Sequence, residues 1–342
     1  MSFAKAFRLC GRVGALNKGA DAVRQAVDGV LPCPKVEPVT LGHFEGIDGF
    51  RVETEFGNAF FPIKKVADLC VEDSYGWLRR QFLKAELVLP PMVNVIKLGK
   101  IATEIEQANP GDEGAVFKKH CDDLYPVKAM AAIHANSYLD NAIMKKYGGQ
   151  IGQCLEAYYF GLKSVAITAL IPCIEGIIRD VGGRIGLTCH DHISANELLN
   201  ILEKVMRKYI HRIFDGYIWY PSGYASIDLH DCLDERIKIV EGLRYYIKVS
   251  LYEHTSRYQG QAQLNRNGIV HGFVNDFDSD DNFFRLIAVL NALYVATMLA
   301  GADGLPIIPG DTLDSLRFEQ HLRVLASVGP RMRAMGTIQP PP

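Results

Sequence analysis

The sequence lacks a marked excess of charge of either sign. Its 342 residues hold 37 Lys and Arg against 39 Asp and Glu, which gives a formal net charge of −2. A protein that binds nucleic acid through bulk electrostatics would be strongly basic. We therefore exclude that class, and any contact with RNA has to be local, through a basic cleft on a near-neutral body.

Paired cysteine motifs are also missing. The eight cysteines are scattered and no Cys-x-x-Cys occurs, which excludes the usual zinc-ribbon and redox motifs. The run Cys189-His190-Asp191-His192 is an alternative zinc site, but structural zinc sites normally draw paired ligands from two separated segments. We expect no metal and no cofactor. Several cysteines lie inside apolar helical patterns, which indicates reduced core residues in a cytosolic protein.

No apolar run is long enough to predict a membrane span. The longest, residues 286–302, contains Asn291 and falls short of the 18 or so residues that a span needs. A signal peptide is not expected, because Leu9-Cys10-Gly11-Arg12 interrupts the apolar stretch near the start. With 48% hydrophobic and 22% charged residues, the composition is typical of a soluble globular protein. We predict a cytoplasmic protein without membrane contact.

What the chain does contain is mostly helical patterning. Residues 50–56, Phe-Arg-Val-Glu-Thr-Glu-Phe, alternate apolar and charged side chains, which predicts a half-buried strand with a partner near residues 60–63. The loop at residues 109–114 is our candidate domain boundary. The sequence thus predicts a mainly α protein: a smaller α+β N-terminal region over residues 1–120, a helical bundle over 121–310, and a C-terminal helix and tail over 311–342.

A basic helix face follows this boundary. Ser194-Ala195-Asn196-Glu197 is a capping-box pattern that opens a helix. The exposed face of that helix carries Lys204, Arg207 and Lys208. Such a face is typical of solvated surface, and its alternative role is to follow an RNA backbone.

One nine-residue segment combines groups suited to phosphate chemistry. Leu264-Asn265-Arg266-Asn267-Gly268-Ile269-Val270-His271-Gly272 lies between two long apolar-periodic segments and contains the turn signal Asn267-Gly268. Arginine binds a phosphate through two parallel hydrogen bonds, and histidine exchanges a proton near neutral pH. The Arg-x4-His spacing is weak by itself, because 19 arginines and 10 histidines give roughly half such a pair by chance.

The geometry of this segment sets a condition on the chemistry. Residues five apart on a regular helix are turned by about 140° from each other, so Arg266 and His271 converge only if the helix begins between them. We expect Asn267-Gly268 to supply that break, with His271 in the first turn, where free backbone N–H groups also favour an anion. The structural alternative is that Arg266 pairs with an acidic neighbour and His271 caps a helix.

The chemistry also predicts a dimer. RNA supplies its own nucleophile, the 2′-hydroxyl, but its cleavage needs a base, an acid and a cation. One arginine and one histidine supply the cation and only one of the two proton-transfer groups. A two-fold dimer brings two copies of each into one cleft, so we expect a composite site at a dimer interface.

The nine-residue segment resembles the signature of the HEPN superfamily of helical nucleotide-binding domains, in which Arg and a polar residue, here Asn267, precede His. Residues 171–179, Ile-Pro-Cys-Ile-Glu-Gly-Ile-Ile-Arg, are similar to the second helix of several HEPN families, where an acidic residue faces the motif. Residues 282–299 match the long apolar helix that follows it. The resemblance covers roughly residues 124–305, and residues 1–120 resemble nothing known to us.

The resemblance implies a bundle of four or five helices, dimerisation and metal-independent ribonuclease activity of the toxin or anti-phage type. Arg266 and His271 would be catalytic, Asn267 would position the phosphate or the histidine, and Glu175 would orient Arg266. The alternative for Glu175 is a pair with Arg179 at i+4.

The implied partners are RNA, a second copy of the chain, and an antitoxin or defence-system partner, with the N-terminal region sensing a trigger or restraining the bundle. A looser family spacing also admits Arg184 and His190 as the catalytic pair. The alternative function is a non-catalytic HEPN-like module that binds a nucleotide or scaffolds an assembly.

Overall fold

The structure is a computed structural model that describes residues 2–32, 34–42, 45–70, 74–190 and 194–336. It is mainly helical with a small sheet near the N-terminus, which confirms the predicted fold class. The chain forms two compact units, one of residues 1–76 and 206–238 and the other of residues 77–205 and 239–342.

The first unit is built on a four-stranded sheet of order β1-β2-β3-β4. Its strands are β1 (Lys35–Leu41), β2 (Ile47–Thr54), β3 (Gly57–Pro62) and β4 (Tyr217–Trp219), and its helices are α1 (Phe3–Arg12), α2 (Ala20–Val27), α3 (Val66–Leu69) and α11 (Ile227–Leu233). The β1–β2 and β2–β3 pairs are antiparallel, whereas β3 and β4 run parallel.

The β2–β3 hairpin confirms the strand that the alternating residues predict. Phe50 and Val52 are buried while Arg51 and Glu53 are exposed, as a period of two requires. The strand ends at Thr54 because the chain turns at Gly57, whose φ of 120° favours glycine. The buried face packs against α1 and α2 and forms the core of this unit.

Two strands of this sheet are not evident from the sequence. Strand β1 contains Pro38, which cannot donate to a ladder and is tolerated because β1 lies at the edge of the sheet. Strand β4 has only three residues, and it pairs with β3 although the two strands are far apart in the sequence. Its formation depends on tertiary contacts, so a local pattern does not predict it.

The other helices belong mostly to the second unit. In chain order they are α4 (Ser74–Lys84), α5 (Val95–Gln107), α6 (Glu113–Leu124), α7 (Val127–Ile133), α8 (Lys145–Tyr159), α9 (Lys163–Arg184), α10 (Ala195–Ile213), α12 (Glu235–Tyr246), α13 (Arg266–Val270), α14 (Asp280–Leu299) and α15 (Leu313–Gly336). Single π-helical turns, His134–Tyr138 and Ile247–Leu251, follow α7 and α12.

Helices α8, α9 and α14 pack together as the centre of the second unit. Within the described residues, α14 is the one helix long and apolar enough to span a membrane by length and composition. Of its most apolar stretch, 94% is buried inside the structure, as in the core helix of a globular protein.

The compact units differ from the predicted boundary between residues 120 and 121. The loop at residues 109–114 joins α5 to α6, and both helices belong to the second unit. Arg285 of α14 is buried and donates Nη2 to the Ala85 carbonyl at 3.0 Å and Nε to the Glu86 carbonyl at 3.1 Å. Because a buried guanidinium needs such acceptors, residues 77–120 are part of the same core as the bundle.

Candidate active site

The motif helix α13 begins at Arg266 because Asn265 caps it. The Asn265 side chain accepts a hydrogen bond from the Gly268 amide at 2.9 Å, which satisfies a free N–H of the first turn. Its Nδ2 donates to the carbonyls of Ser250, at 3.0 Å, and Glu253, at 2.9 Å. Asn265 is fully buried, so the start of the helix is fixed from both sides.

This cap changes the predicted geometry of the motif. The expected break at Asn267-Gly268 is wrong, since both residues lie inside α13 and His271 ends the helix instead of starting it. The expected anion site in a first turn beside His271 is therefore wrong as well. The two residues thus stand at opposite ends of one short helix, Arg266 as its first residue and His271 as its C-cap.

Arg266 is held by three groups. Its Nε donates to Glu175 Oε1 at 3.0 Å, its Nη1 donates to Asn267 Oδ1 at 3.3 Å, and its Cζ lies 6.0 Å from the centre of the Tyr252 ring. The Arg266 side chain keeps 29% of its surface exposed. The Arg266 side chain also hydrogen-bonds with the Tyr252 hydroxyl, and its exposed part remains accessible to a ligand.

Glu175 reaches this site from the middle of α9. Its neighbours Ile174 and Ile177 are buried in the bundle, whereas its own side chain is 20% exposed. The contact with Arg266 that the resemblance implies is thus present. Its role in orienting Arg266 stays a prediction.

Tyr252 completes the cluster, and no sequence pattern singled it out. Its hydroxyl donates to Glu175 Oε1 at 2.7 Å, so that oxygen accepts from both Tyr252 and Arg266. Burial, reinforced by the Glu175 carboxylate, raises the pKa of the Tyr252 hydroxyl far above its usual range. The hydroxyl therefore remains a donor at every physiological pH.

His271 lies at the exposed end of α13. Its ring centre is 6.2 Å from that of Phe273, and the two rings are tilted by 43°. Phe273 is 72% exposed and Val270 is 50% exposed. The imidazole therefore sits beside apolar side chains that this chain leaves open to solvent.

The basic helix face belongs to α10, not to the motif helix. Ser194 and Glu197 form the predicted capping box, with the Ser194 amide donating to Glu197 Oε2 at 2.7 Å. The side chains of the face, Lys204, Arg207 and Lys208, are exposed on α10. Lys204 lines a cavity of about 250 Å³ with Cys189 and His190, and none of the motif residues lines that cavity.

The alternative zinc site and the alternative catalytic pair also fall near this cavity. Asp191 and His192 lie outside the described residues. In the part of the chain that the structure describes, no group of three His, Cys, Asp or Glu side chains is placed to hold a metal ion. Arg184 is exposed at the end of α9, and His190 lines the cavity of Lys204.

A larger cavity, of about 720 Å³, is lined by residues that precede and follow the motif in the sequence. Its walls include Arg257 and residues 259–262, before the motif, and Asp276, Ser279 and Asp281, after it. Basic side chains such as Lys118 and Arg257 face it together with acidic ones such as Glu113 and Asp276. The cavity has the size of a small-molecule site and is lined by mixed charge.

No family model, curated protein or solved structure matches this chain.

Proposed function

We propose that this protein is a metal-independent endoribonuclease of the HEPN type, a cytoplasmic toxin or anti-phage effector that cuts cellular RNA. The observation that carries the proposal is the ion pair between Arg266 and Glu175, 91 residues apart in the chain. The resemblance names this glutamate as the partner of Arg266. A pair with an acidic neighbour is also what the structural alternative expects, so the assays below distinguish the two.

The arginine is arranged as a phosphate ligand. Glu175 occupies Nε and Asn267 accepts from Nη1, and the remaining N–H groups of the partly exposed guanidinium are the donors proposed for phosphate oxygens. Glu175 and Tyr252 fix that edge in place, so little side-chain entropy is lost when RNA binds. The positive charge then stabilises the added negative charge of the phosphorane.

The histidine is the proton-transfer group. His271 is exposed, and an imidazole can give or take a proton in RNA cleavage. One imidazole removes the proton of the 2′-hydroxyl as the 2′-oxygen attacks phosphorus, and a second protonates the departing 5′-oxygen. The products are a 2′,3′-cyclic phosphate and a 5′-hydroxyl.

Two copies of the chain complete the set of groups. Arg266 begins α13 and His271 caps its other end, and residues five apart on an ideal helix are turned by about 140° from each other, so we propose that one chain alone does not close a site around a phosphate. The exposed side chains of Val270 and Phe273 beside His271 support a partner surface there, because covering them removes apolar area from water. A two-fold axis at this surface pairs the Arg266 of one protomer with the His271 of the other.

Expression in a bacterial host tests the proposal. We expect growth arrest and fragmented RNA from the wild-type chain, and neither from Arg266→Ala or His271→Ala. His254→Ala and Arg323→Ala are matched controls, because both residues are exposed and lie outside the motif. Equal growth and intact RNA in all five strains, with equal protein levels, would refute the proposal.

The 720 Å³ cavity favours a second candidate, a nucleotide-binding module without catalysis. Lys118 and Arg257 offer cations to phosphates, and the carboxylates offer acceptors to ribose hydroxyls. Calorimetry with ribonucleoside triphosphates distinguishes the two candidates. Binding that Lys118→Glu removes and Lys119→Glu retains, without any RNA cleavage by the wild type, supports the second.

A further inference from the structure

Two cysteines far apart in the chain meet in the first unit. The Sγ atoms of Cys70 and Cys232, 162 residues apart, are separated by 2.7 Å. A disulfide bond is about 2.04 Å long, so the two sulfurs lie close to bonding distance. We propose that Cys70 and Cys232 form a reversible intramolecular disulfide when the protein meets a low-molecular-weight disulfide such as oxidised glutathione. The expectation that the cysteines are all reduced core residues does not extend to this pair.

The elements that carry the two thiols are already packed together. Cys70 directly follows α3, and Cys232 lies in α11, which contacts α3. The thiol of Cys232 donates to the Asp228 carbonyl at 3.3 Å, and the thiol of Cys70 lies 3.9 Å from the same oxygen. The Tyr224 hydroxyl donates to the Lys64 carbonyl at 2.6 Å and fastens the chain before α3. Bond formation thus requires little backbone movement.

Exposure distinguishes Cys70, the thiol that starts the reaction. Among the described cysteines Cys70 alone is exposed. Cys10, Cys121, Cys154 and Cys173 are buried, and burial raises the pKa of each of these thiols. Since the thiolate is the reactive form, buried thiols of raised pKa react slowly. Cys70 is therefore the thiol that a soluble oxidant reaches first.

The reaction proceeds by thiol–disulfide exchange in two steps. The Cys70 thiolate attacks one sulfur of the small disulfide, forms a mixed disulfide and releases one small thiolate. The Cys232 thiolate then attacks the Cys70 sulfur, forms the protein disulfide and releases the second. The two protein thiols are oxidised, the small disulfide is reduced to two thiols, and these take up the two protons.

The second step sets the pH dependence. Burial, together with the hydrogen bond to Cys70 and the charge of Asp231, raises the pKa of Cys232 to about 12, with Lys238 acting in the opposite direction. Below that pKa the thiolate fraction rises roughly tenfold for each pH unit. Closure of the disulfide should therefore accelerate by about that factor per unit between pH 7 and pH 9.

Peptide mapping of the full chain tests the proposal directly. Trypsin releases Cys70 in residues 66–79 and Cys232 in residues 213–236, and each peptide holds a single cysteine. After treatment with oxidised glutathione, alkylation and digestion, we expect the two peptides joined and a loss of two of the eight titratable thiols. Dithiothreitol should separate the peptides again.

Three variants control the experiment. Cys70→Ser and Cys232→Ser should each abolish the joined peptide, whereas Cys189→Ser, which changes a partly exposed thiol of the second unit, should retain it. Circular dichroism of each reduced variant verifies folding. The proposal is overturned if folded wild-type protein yields only separately alkylated peptides, a lasting glutathione adduct on Cys70, or a Cys70 bridge between two chains.

Discussion

Arg266 shares one carboxylate oxygen with a tyrosine, and this small network fixes its direction. Glu175 Oε1 accepts from the arginine Nε and from the Tyr252 hydroxyl. Both side chains of the ion pair are partly exposed, so solvent screens the pair and its contribution to stability is small. The pair instead holds the guanidinium in one orientation, and a catalytic group depends on its orientation.

At this scale we predict that Glu175→Gln slows RNA cleavage without unfolding the protein. Loss of the carboxylate charge lets the guanidinium reorient, and a displacement of about 1 Å costs about 100-fold in rate. The unfolding free energy should change by about 1 kcal/mol or less. Glu156→Gln, which alters a carboxylate paired with His321, is the control and should cleave at the wild-type rate. Equal rates in all three proteins would contradict the positioning role.

The motif shows which parts of the candidate site could be predicted from residue patterns. The resemblance anticipated the partner of Arg266, because a charged pair leaves a recognisable residue type in each segment. It did not anticipate Tyr252, since a tyrosine at a helix end has no distinguishing pattern. The predicted start of α13 was wrong because Asn265, and not Asn267, caps the helix. The hydrogen bonds of Asn265 to the carbonyls of Ser250 and Glu253 are tertiary contacts, which the local sequence does not reveal.

Among the elements, α9 carries the glutamate and depends on a close approach to α8. A Cβ added at Gly176 would lie 2.4 Å from Cε1 of Tyr147 and 2.6 Å from its hydroxyl oxygen. The Tyr147 hydroxyl donates to Asp180 at 3.0 Å, so the ring is held against α9. Glycine at position 176 therefore allows the two helices to pack.

We predict that Gly176→Ala destabilises the protein by about 1–3 kcal/mol, because the added methyl forces Tyr147 out of its place. Gly183→Ala is the control in the same helix, since a Cβ there meets nothing within 4 Å. That change should be neutral or stabilise by up to about 1 kcal/mol through helix propensity. Urea unfolding measures both variants, and equal effects would show that the approach of Tyr147 is unimportant.

The sequence predicted strongly periodic elements better than weak ones. The alternation of Phe50 to Glu53 predicted β2, and the Ser194–Glu197 capping box predicted the start of α10. Strands β1 and β4 have no comparable local signal, because one contains a proline and the other has three residues. Their pairing is determined by neighbours distant in the chain.

For the whole molecule, the predicted division at residues 120 and 121 does not match the compact units. The first unit combines residues 1–76 with residues 206–238, which no local composition change marks. Among the described histidines, one is buried in each unit, His230 in the first and His134 in the second. Burial lowers the pKa of both imidazoles from the usual 6.5.

We predict from this that stability falls as the pH falls below about 6.5. A histidine with a lowered folded pKa takes up its proton more readily in the unfolded chain, so acid favours unfolding by at most about 1.4 kcal/mol per pH unit for each histidine. The contribution is complete above pH 6.5. The Nε2 atoms of His134 and His230 lie 2.8 and 3.0 Å from backbone carbonyls, and glutamine can replace that donor.

Urea unfolding between pH 7.5 and pH 5.5 checks this. The wild-type chain should lose stability across the interval, and His134→Gln and His230→Gln should each show a smaller loss. Substitution of the exposed His254 by glutamine should leave the loss unchanged. A wild-type stability that is constant across the interval would contradict the assignment of these two histidines as buried and neutral.

Cleavage of RNA by the purified chain in excess EDTA tests the central claim most directly. We predict that the wild-type protein cuts total RNA and leaves 2′,3′-cyclic phosphate ends, and that Arg266→Ala and His271→Ala are slower by at least about 100-fold. Cleavage at the same rate by wild type and His271→Ala, or no cleavage by the wild type in EDTA when it cuts without EDTA, would contradict the account.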